Sequence, residues 1–288
     1  MPEENHGHDR DDLGAVLDEE RELMNFYAPH YRTSLMFNSY YYREERRHFA
    51  DWMLGILADA GRDPPALSYL DVGCGTGELL ELLAERGCFE LTGIDLAEEM
   101  LRERNHRRVP GARLVHGSVE HHDFGSERFD VIASILMVHH LCDPGAFFRL
   151  VDRHLEVGGW FFVLEYNGAG WLHGRVVRRP INWLVAPMRR LVKIKNRVAL
   201  ASEPPVPARF NHAHRLLRFD DLLDTMPGRD AYRIARYTRG LFLPAFTNAL
   251  VRESGVDATL YELIDAVDRV VGPFGAGYLQ GVAGERVR

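Results

Sequence analysis

Three glycines at alternate positions follow one apolar stretch and precede another. Gly73, Gly75 and Gly77 would let the backbone turn sharply and approach a ligand closely. A helix that starts here would present free N–H groups, which would suit the pyrophosphate of a dinucleotide. The spacing, however, is G-x-G-x-G rather than G-x-G-x-x-G, and Asp71 lies inside the turn, where it would repel a pyrophosphate. The pattern therefore favours a ligand that carries positive charge.

A second acid supports a ligand site at this turn. Asp95 ends the apolar run Leu91–Ile94, at the distance of about 20 residues that is expected for a carboxylate that binds a ribose. The glycines alone would also fit an ordinary connection between a strand and a helix. Because Asp71 and Asp95 both lie at the expected positions relative to the glycines, the sequence predicts that the turn binds a ligand.

Two adjacent histidines, His139 and His140, follow the apolar run 129–135. An imidazole titrates near neutral pH, so these rings are candidates to remove a proton from a hydroxyl group. The alternative is a structural pair, in which one ring caps a helix and the other is packed. If the nucleophile is a carboxylate, no base is needed.

The elements that must position these groups follow from the hydrophobic pattern. Strand-length and helix-length segments alternate, which predicts an α/β fold with helices on both faces of a parallel sheet. Ligands of such sheets bind beyond the carboxyl ends of the strands. The predicted strands are 67–72, 89–94, 112–116, 129–135, 159–165, 232–237 and 278–283. The predicted helices after the first strand are 76–86, 97–107, 144–155 and 219–226.

Three stretches carry a resemblance to a known family. Tyr69–Leu80 resembles motif I of the class I S-adenosylmethionine-dependent methyltransferases, and Asp95 matches their acid after strand two. Phe129–Leu141 resembles strand four of the small-molecule group, including quinone and natural-product enzymes. It lacks the N/D-P-P-Y/F motif of enzymes that methylate nucleic acid bases. Leu155–Phe161 resembles the turn into strand five. The resemblance implies a doubly wound, seven-stranded, mostly parallel Rossmann-like sheet, with the last strand antiparallel and with helical cap insertions.

The resemblance also implies a cofactor, S-adenosyl-L-methionine, whose product is S-adenosyl-L-homocysteine. Asp95 would bind the ribose and Asp71 would lie near the methionine part. Ser118, which stands where relatives carry an acid, would flank the adenine together with Val119. The cofactor-binding residues expected on this basis are Asp71, Gly73, Cys74, Gly75, Gly77, Asp95, Leu96, Ser118, Val119 and Ser134. No metal is required, and no cluster has convincing ligand spacing.

The chain is predicted to divide into a disordered tail over 1–12, an N-terminal helical cap over 13–62 and a methyltransferase domain over 63–288. Tyr27 and Tyr31 in the cap belong to a dense group of tyrosines. They are either packing residues of a helix pair or contacts to the acceptor, because N-terminal helices close over the methionine end of the cofactor in many relatives.

Two insertions, 166–202 and 241–272, are expected to leave the carboxyl edge of the sheet and to cover the site. The first contains no acidic residue and includes a basic amphipathic segment over 175–197. As a lid, this segment would bring Arg175 and Arg179 to an acidic acceptor. The alternatives are a helix that packs on the domain with its charges solvated, and a helix that lies on an anionic membrane surface.

Composition narrows the partners and the compartment. The net charge of −7 argues against nucleic acid as a partner. Three cysteines without a C-x-x-C pair fit reduced thiols in a cytoplasm. We expect neither a signal peptide nor a transmembrane span, because the sequence has no apolar leader and no run of 18 apolar residues. The oligomeric state is not predicted.

These observations lead to one main hypothesis. The protein is expected to transfer a methyl group to a small molecule, most plainly to the oxygen of a hydroxyl or carboxylate in a biosynthetic pathway. One alternative is N- or C-methylation of a small molecule. The other is a non-catalytic protein that binds the cofactor, or an adaptor that uses the basic segment 175–197 at a membrane surface.

Overall fold

The computed structural model describes residues 10–33, 39–102, 107, 109–167, 217–239, 258–259, 261–263, 265–266 and 279–288. Most of the two predicted insertions, and the first nine residues of the predicted tail, lie outside these residues. The basic segment 175–197, with Arg175 and Arg179, also lies outside them.

Seven strands form one sheet, and their bounds lie close to the predicted ones. They are β1 (Ser68–Val72), β2 (Glu90–Asp95), β3 (Arg113–His116), β4 (Phe129–Ile135), β5 (Leu155–Tyr166), β6 (Tyr232–Arg239) and β7 (Leu279–Arg286). Their order in the sheet is β3-β2-β1-β4-β5-β7-β6. The first five strands pair in parallel, whereas β7 runs antiparallel to both β5 and β6. The predicted fold class, including the antiparallel last strand, is confirmed.

In the described residues, helices both precede the first strand and connect later strands. They are α1 (Arg10–Tyr31), α2 (Tyr40–Asp59), α3 (Glu78–Glu85), α4 (Glu98–Leu101), α5 (Gly145–His154) and α6 (Phe219–Asp224), with 3₁₀ turns at Pro64–Ala66, Val138–His140 and Arg229–Ala231. None of the helices in the described ranges combines the length and the apolar character that crossing a membrane would require.

Two helices differ from the sequence-based expectation. α1 begins at Arg10, inside the segment expected to be disordered, and it passes through Pro29, which the sequence predicts as a break. A proline so close to the end at Tyr31 removes only one late hydrogen bond, so the helix tolerates it. The predicted helix 97–107 is shorter in the structure, where it spans Glu98–Leu101. It ends there because the backbone of Arg102 is extended, with ψ of 139°.

Neighbouring residues of the central strands face opposite sides of the sheet and enter two separate cores. Tyr69 packs on the side of Phe49 and Met53 from α2. Leu70, the next residue of β1, packs on the side of Phe148 from α5. The central strands are therefore buried on both faces, as expected for a parallel sheet covered by helices.

α1 is fastened to the segment that follows β2. The N–H of Glu99 donates to Oδ1 of Asn25, at 2.9 Å. Ala28 packs with Ala97 and Met100 in a small apolar cluster. These contacts hold one side of α1 at the carboxyl edge of the sheet, where parallel α/β folds bind their ligands.

Candidate active site

The turn after β1 is held by a backbone carbonyl near the end of the neighbouring strand β2. The N–H groups of Gly73 and Cys74 both donate to the carbonyl oxygen of Ile94, at 2.8 and 3.0 Å. Gly73 has a φ of +73°, and a Cβ at this position would lie 2.2 Å from Cγ of Met137. Glycine is needed here because Met137, which follows β4, packs directly on the turn.

Gly75 is needed for a different reason. Its φ is +53°, yet a Cβ at this position would meet no atom within 4 Å. The residue lines a cleft, so the missing side chain leaves room for a ligand to approach the backbone. The two flanking predicted residues do not line this cleft: Cys74 is buried and lies against Gly93, and Gly77 is the N-cap of α3.

Asp95 is held by two backbone groups. Its Oδ2 accepts the N–H of Gly75, and its Oδ1 accepts the N–H of Ala97, each at 2.8 Å. Burial raises the pKa of this carboxyl, while the two backbone hydrogen bonds oppose the shift. Each carboxylate oxygen can accept more than one hydrogen bond, so the clamp leaves acceptor capacity for the hydroxyls of a ligand.

Asp71 lies behind the turn and is only 3% exposed. Burial raises the pKa of its carboxyl well above the usual range, and the carboxylates of Asp95 and Glu78 add to the shift. The guanidinium of Arg46 from α2 opposes it. The turn therefore brings three acidic side chains close together, and burial disfavours the charged form of Asp71.

A cleft opens at the carboxyl edge of the sheet beside this turn. It contains about 790 Å³ of empty space, counting the part open to solvent. Eight of the residues predicted from sequence line it: Gly73, Gly75, Asp95, Leu96, Ser118, Val119, Tyr31 and His140.

The other predicted residues within the described part of the chain do not line this cleft. Tyr27 is buried beside Leu23, which fits the packing alternative. Ser134 is fully buried, and its hydroxyl donates to the carbonyl of Val72, at 3.0 Å. This hydrogen bond joins β4 to β1, so the Ser134 side chain serves the sheet. Asp71, Cys74, Gly77 and His139 are likewise absent from the cleft wall.

Tyr31 reaches the cleft from the end of α1. Burial raises the pKa of its phenol to about 12, and a hydrogen bond with Arg46 opposes the shift. The hydroxyl is therefore neutral at physiological pH and can donate or accept a hydrogen bond.

The two histidines have different surroundings. Nδ1 of His139 lies 2.7 Å from Oε2 of Glu165 at the end of β5, and the ring is buried. The second oxygen of Glu165 accepts the N–H of Val138, at 2.7 Å. His140 instead lines the cleft, and its Nδ1 lies 2.9 Å from Oε1 of Glu20 in α1. The ring centroids of the two histidines are 4.1 Å apart.

Several residues that line the cleft were not predicted. α1 contributes Leu17, Glu20 and Met24, which fall on one helical face at spacings of three and four. That spacing is visible in the sequence, but a stripe alone does not show what it packs against. Leu136 also lines the cleft, and its φ of +51° is rare for a side chain of this kind. Strained backbone of this type often occurs at functional sites.

Residues 70–163 match the family described as "Methyltransferase domain". Two curated relatives are ubiquinone biosynthesis O-methyltransferases. The protein of Idiomarina loihiensis is 36% identical over 113 residues, which cover 37% of this chain and 46% of the relative. The protein of Leptothrix cholodnii is 33% identical over 109 residues, which cover 35% of this chain and 45% of the relative. The chain thus spans about half the length of the curated relatives it matches.

Solved structures share the fold over most of the chain. One belongs to a complex between the Haloferax volcanii Trm112 methyltransferase activator and a putative methyltransferase. The TM-score is 0.54 and the sequences are 14% identical, and the match covers 93% of this chain and 97% of that chain. Another is an S-adenosylmethionine-dependent methyltransferase of Thermotoga maritima, with a TM-score of 0.51, 14% identity and coverage of 94% and 99%. Residues 70–163 thus match a methyltransferase domain, and the sheet has the fold that these solved methyltransferase structures share.

Proposed function

We propose that this protein transfers the methyl group of S-adenosyl-L-methionine to an oxygen of a small molecule in a biosynthetic pathway. The observation that carries the proposal is the carboxylate of Asp95, clamped by two backbone N–H groups at the wall of a cleft next to Gly75. The relatives named as ubiquinone biosynthesis O-methyltransferases support oxygen as the acceptor atom.

The residues present fit this cofactor. Asp95 would accept the ribose hydroxyls, and the open space beside Gly75 would admit the cofactor to the backbone. Leu96, Ser118 and Val119 line the cleft beyond β2 and β3, where they would contact the adenine. The carboxylate of Asp95 at the cleft wall favours a sulfonium over a pyrophosphate.

The chemistry asked of the protein is modest. When bound, S-adenosyl-L-methionine supplies a methyl group that its sulfonium has already activated. The chain has to orient the acceptor in line with this carbon, exclude water and, for a hydroxyl acceptor, remove a proton. Of the two predicted candidates for that base, His140 is the one we propose, because it lines the cleft. Tyr31 would contact the acceptor from α1.

We also propose a class of acceptor and a cellular compartment. An acidic small molecule would be drawn by the basic segment 175–197, with Arg175 and Arg179 as its contacts. A cytoplasmic location fits the cysteine content. We do not propose nucleic acid as a substrate, because the net charge is −7.

A calorimetric titration of S-adenosyl-L-homocysteine into wild type and Asp95→Ala tests the cofactor site. We expect micromolar binding to wild type and a loss of about 100-fold in the variant, because hydrogen bonds to a charged group contribute about 1.5–3 kcal/mol each. Asp224→Ala is the matched control, since Asp224 is exposed and pairs with Arg229 away from the cleft.

Asp95→Ala also removes two hydrogen bonds within the protein, so each variant needs a thermal unfolding curve. Asp95→Asn keeps one acceptor oxygen and should fall between wild type and alanine in affinity. Equal affinity of wild type and a folded Asp95→Ala would overturn the ribose assignment. No binding to wild type would overturn the cofactor assignment itself.

A further inference from the structure

The segment that follows β3 forms part of the cleft wall. Gly117, Ser118 and Val119 line the cleft, and Ser118 carries the polar side chain of the three. β3 pairs in parallel with β2, in a register that sets His116 opposite Asp95. The N–H of Gly117 donates to the carbonyl oxygen of Asp95, at 3.0 Å. Ser118 is therefore fixed beside the residue that would hold the ribose, within reach of the base that is bonded to that ribose.

The hydroxyl of Ser118 is held in a tight turn. Its Oγ accepts the N–H of Glu120, at 3.2 Å. The carbonyl oxygen of Ser118 accepts the N–H groups of His121 and His122, at 3.1 and 2.7 Å. A hydroxyl has one proton to donate and two lone pairs that accept. Since no group among the described residues accepts the Ser118 proton, the side chain can offer a ligand both a donor and an acceptor.

The acidic side chains of the same segment lie outside the cleft wall. Oε1 of Glu120 accepts the N–H of Asp143, at 3.0 Å. Oδ1 of Asp123 accepts the N–H of Gly125 at 2.9 Å and lies 3.5 Å from Nε2 of His154. Neither acid lines the cleft. Within the described part of the chain, this segment therefore presents a neutral hydroxyl to the ligand and no carboxylate.

The difference between a hydroxyl and a carboxylate decides which purines fit. An ionised carboxylate only accepts hydrogen bonds, so it binds the exocyclic amino group of adenine and repels the exocyclic oxygen of hypoxanthine. A hydroxyl accepts from the amino group, or rotates and donates its own proton to the oxygen. The side chain of Ser118 is therefore suited to both purines.

We propose that Ser118 reads the exocyclic group of the purine without discriminating between an amino group and an oxygen. The inference rests on the proposed function and defines the range of donors that the site takes. That range is the sulfonium nucleosides of both adenine and hypoxanthine. The hydroxyl contributes one neutral hydrogen bond in either case, so its contribution to affinity is the same for the two.

Calorimetric titration of S-adenosyl-L-homocysteine and of its deaminated analogue, S-inosyl-L-homocysteine, tests the proposal. The measured quantity is the ratio of the two dissociation constants, inosyl over adenosyl. We expect a ratio below about 10 in wild type, because either ligand gains a neutral hydrogen bond. Ser118→Ala should weaken both ligands by about 3- to 10-fold and should leave the ratio within about 3-fold of wild type.

Ser118→Asp should separate the two ligands. Its carboxylate can still accept the N–H of Glu120, so the turn is retained, but it has no proton to donate. The ratio should rise by about 10- to 100-fold, since hydrogen bonds to a charged group contribute more than neutral ones. Ser118→Asn is the matched control of the same size. Its amide carries a donor and an acceptor, so its ratio should stay close to that of wild type.

A third ligand separates the exocyclic group from the ring. Hypoxanthine differs from adenine also by a proton on N1, whereas the 6-methoxypurine analogue has an exocyclic oxygen and no such proton. The discrimination that Ser118→Asp introduces should apply to this analogue as well, because the repelled atom is the exocyclic oxygen. Discrimination against the inosyl ligand alone would overturn the assignment of Ser118 to the exocyclic group.

Three other results would contradict the inference. They are a wild-type ratio as large as that of Ser118→Asp, a Ser118→Asp ratio equal to that of wild type, and affinities that Ser118→Ala leaves unchanged. Thermal unfolding curves show that each variant is folded. Failure of the proposed function is distinguishable, because it appears as absent binding of S-adenosyl-L-homocysteine to wild type, whereas failure of the inference leaves that binding intact.

Discussion

Two histidine–glutamate pairs lie side by side at the end of β4, and they differ in what surrounds them. In the first, His139 and Glu165 are both buried, and Glu165 also accepts the N–H of Val138. In the second, His140 lines the cleft and meets Glu20 from a helix far away in sequence. The same two side-chain types thus form one pair inside the protein and one at its ligand site.

We expect the buried pair to contribute stability, and the proposed function assigns chemistry to the histidine at the cleft. Every polar atom of the Glu165 carboxylate has a protein partner, so this pair fixes the turn after β4. The pair at the cleft has an open side that a ligand can reach. The predictions below separate the two roles, from the largest expected effect to the smallest.

Glu165→Ala should lower the free energy of unfolding by about 3–5 kcal/mol, because it leaves a buried imidazole and a buried N–H without their acceptor. Urea unfolding followed by circular dichroism measures this loss. Glu156→Ala, at an exposed position of the same strand, is the control and should change stability by less than about 0.5 kcal/mol. A similar small change at Glu165 would contradict the structural role of the buried pair.

His140→Gln should reduce kcat by about 100-fold or more, while unfolding free energy and affinity for S-adenosyl-L-homocysteine stay close to wild type. The physical reason is the loss of a general base at the cleft, which typically contributes 10²–10⁴-fold. His121→Gln, an exposed histidine away from the cleft, serves as the control. Full activity in His140→Gln would remove the distinction between the two pairs.

Asp71→Asn should stabilise the ligand-free protein at pH 7, in contrast to the effect at Glu165. Burial raises the pKa of Asp71 above its ordinary 3.8, so the folded state binds this proton more tightly than the unfolded state does. The stability that Asp71 contributes is complete below pH 3.8 and is lost as pH rises through the elevated pKa.

Urea unfolding of wild type, Asp71→Asn and the exposed control Asp59→Asn at several pH values measures this effect. The gain in Asp71→Asn should grow as pH rises from about 4 to 7, and the control should show none. A loss of stability in Asp71→Asn at pH 7 would contradict the unfavourable burial of this carboxylate.

Asn25→Ala should cost about 1 kcal/mol of stability, the usual loss when a side-chain cap of a helix is removed. Because α1 carries Glu20, this change should loosen the pair at the cleft and leave the buried pair intact. Hydrogen exchange would show faster exchange in α1 and unchanged protection at Val138. Asn25→Asp keeps the acceptor oxygen and should behave like wild type.

The sequence allowed the parallel sheet and the acids at its edge to be predicted because both depend on local patterns. The run Phe129–Ile135 is mostly apolar and follows a polar segment, and its predicted and observed limits agree. The glycine turn and Asp95 are likewise close to each other along the chain or on adjacent strands.

The roles of the remaining residues depend on long-range packing. Nothing local distinguishes His139 from His140, since adjacent positions of a 3₁₀ turn point in different directions and only the fold decides which faces the cleft. Glu20 was missed because its partner lies 120 positions away in the chain. The early end of α4 at Leu101 also escaped prediction, since the residues that follow are strong helix formers on propensity alone.

The hydrogen bond from Glu99 to Asn25 has a thermodynamic consequence. It ties α1 to the segment whose first residues hold Asp95, so the docking of α1 and the occupancy of the proposed ribose site would be linked equilibria. If the cofactor binds more tightly when α1 is docked, thermodynamic reciprocity requires that cofactor binding favours the docked helix by the same factor.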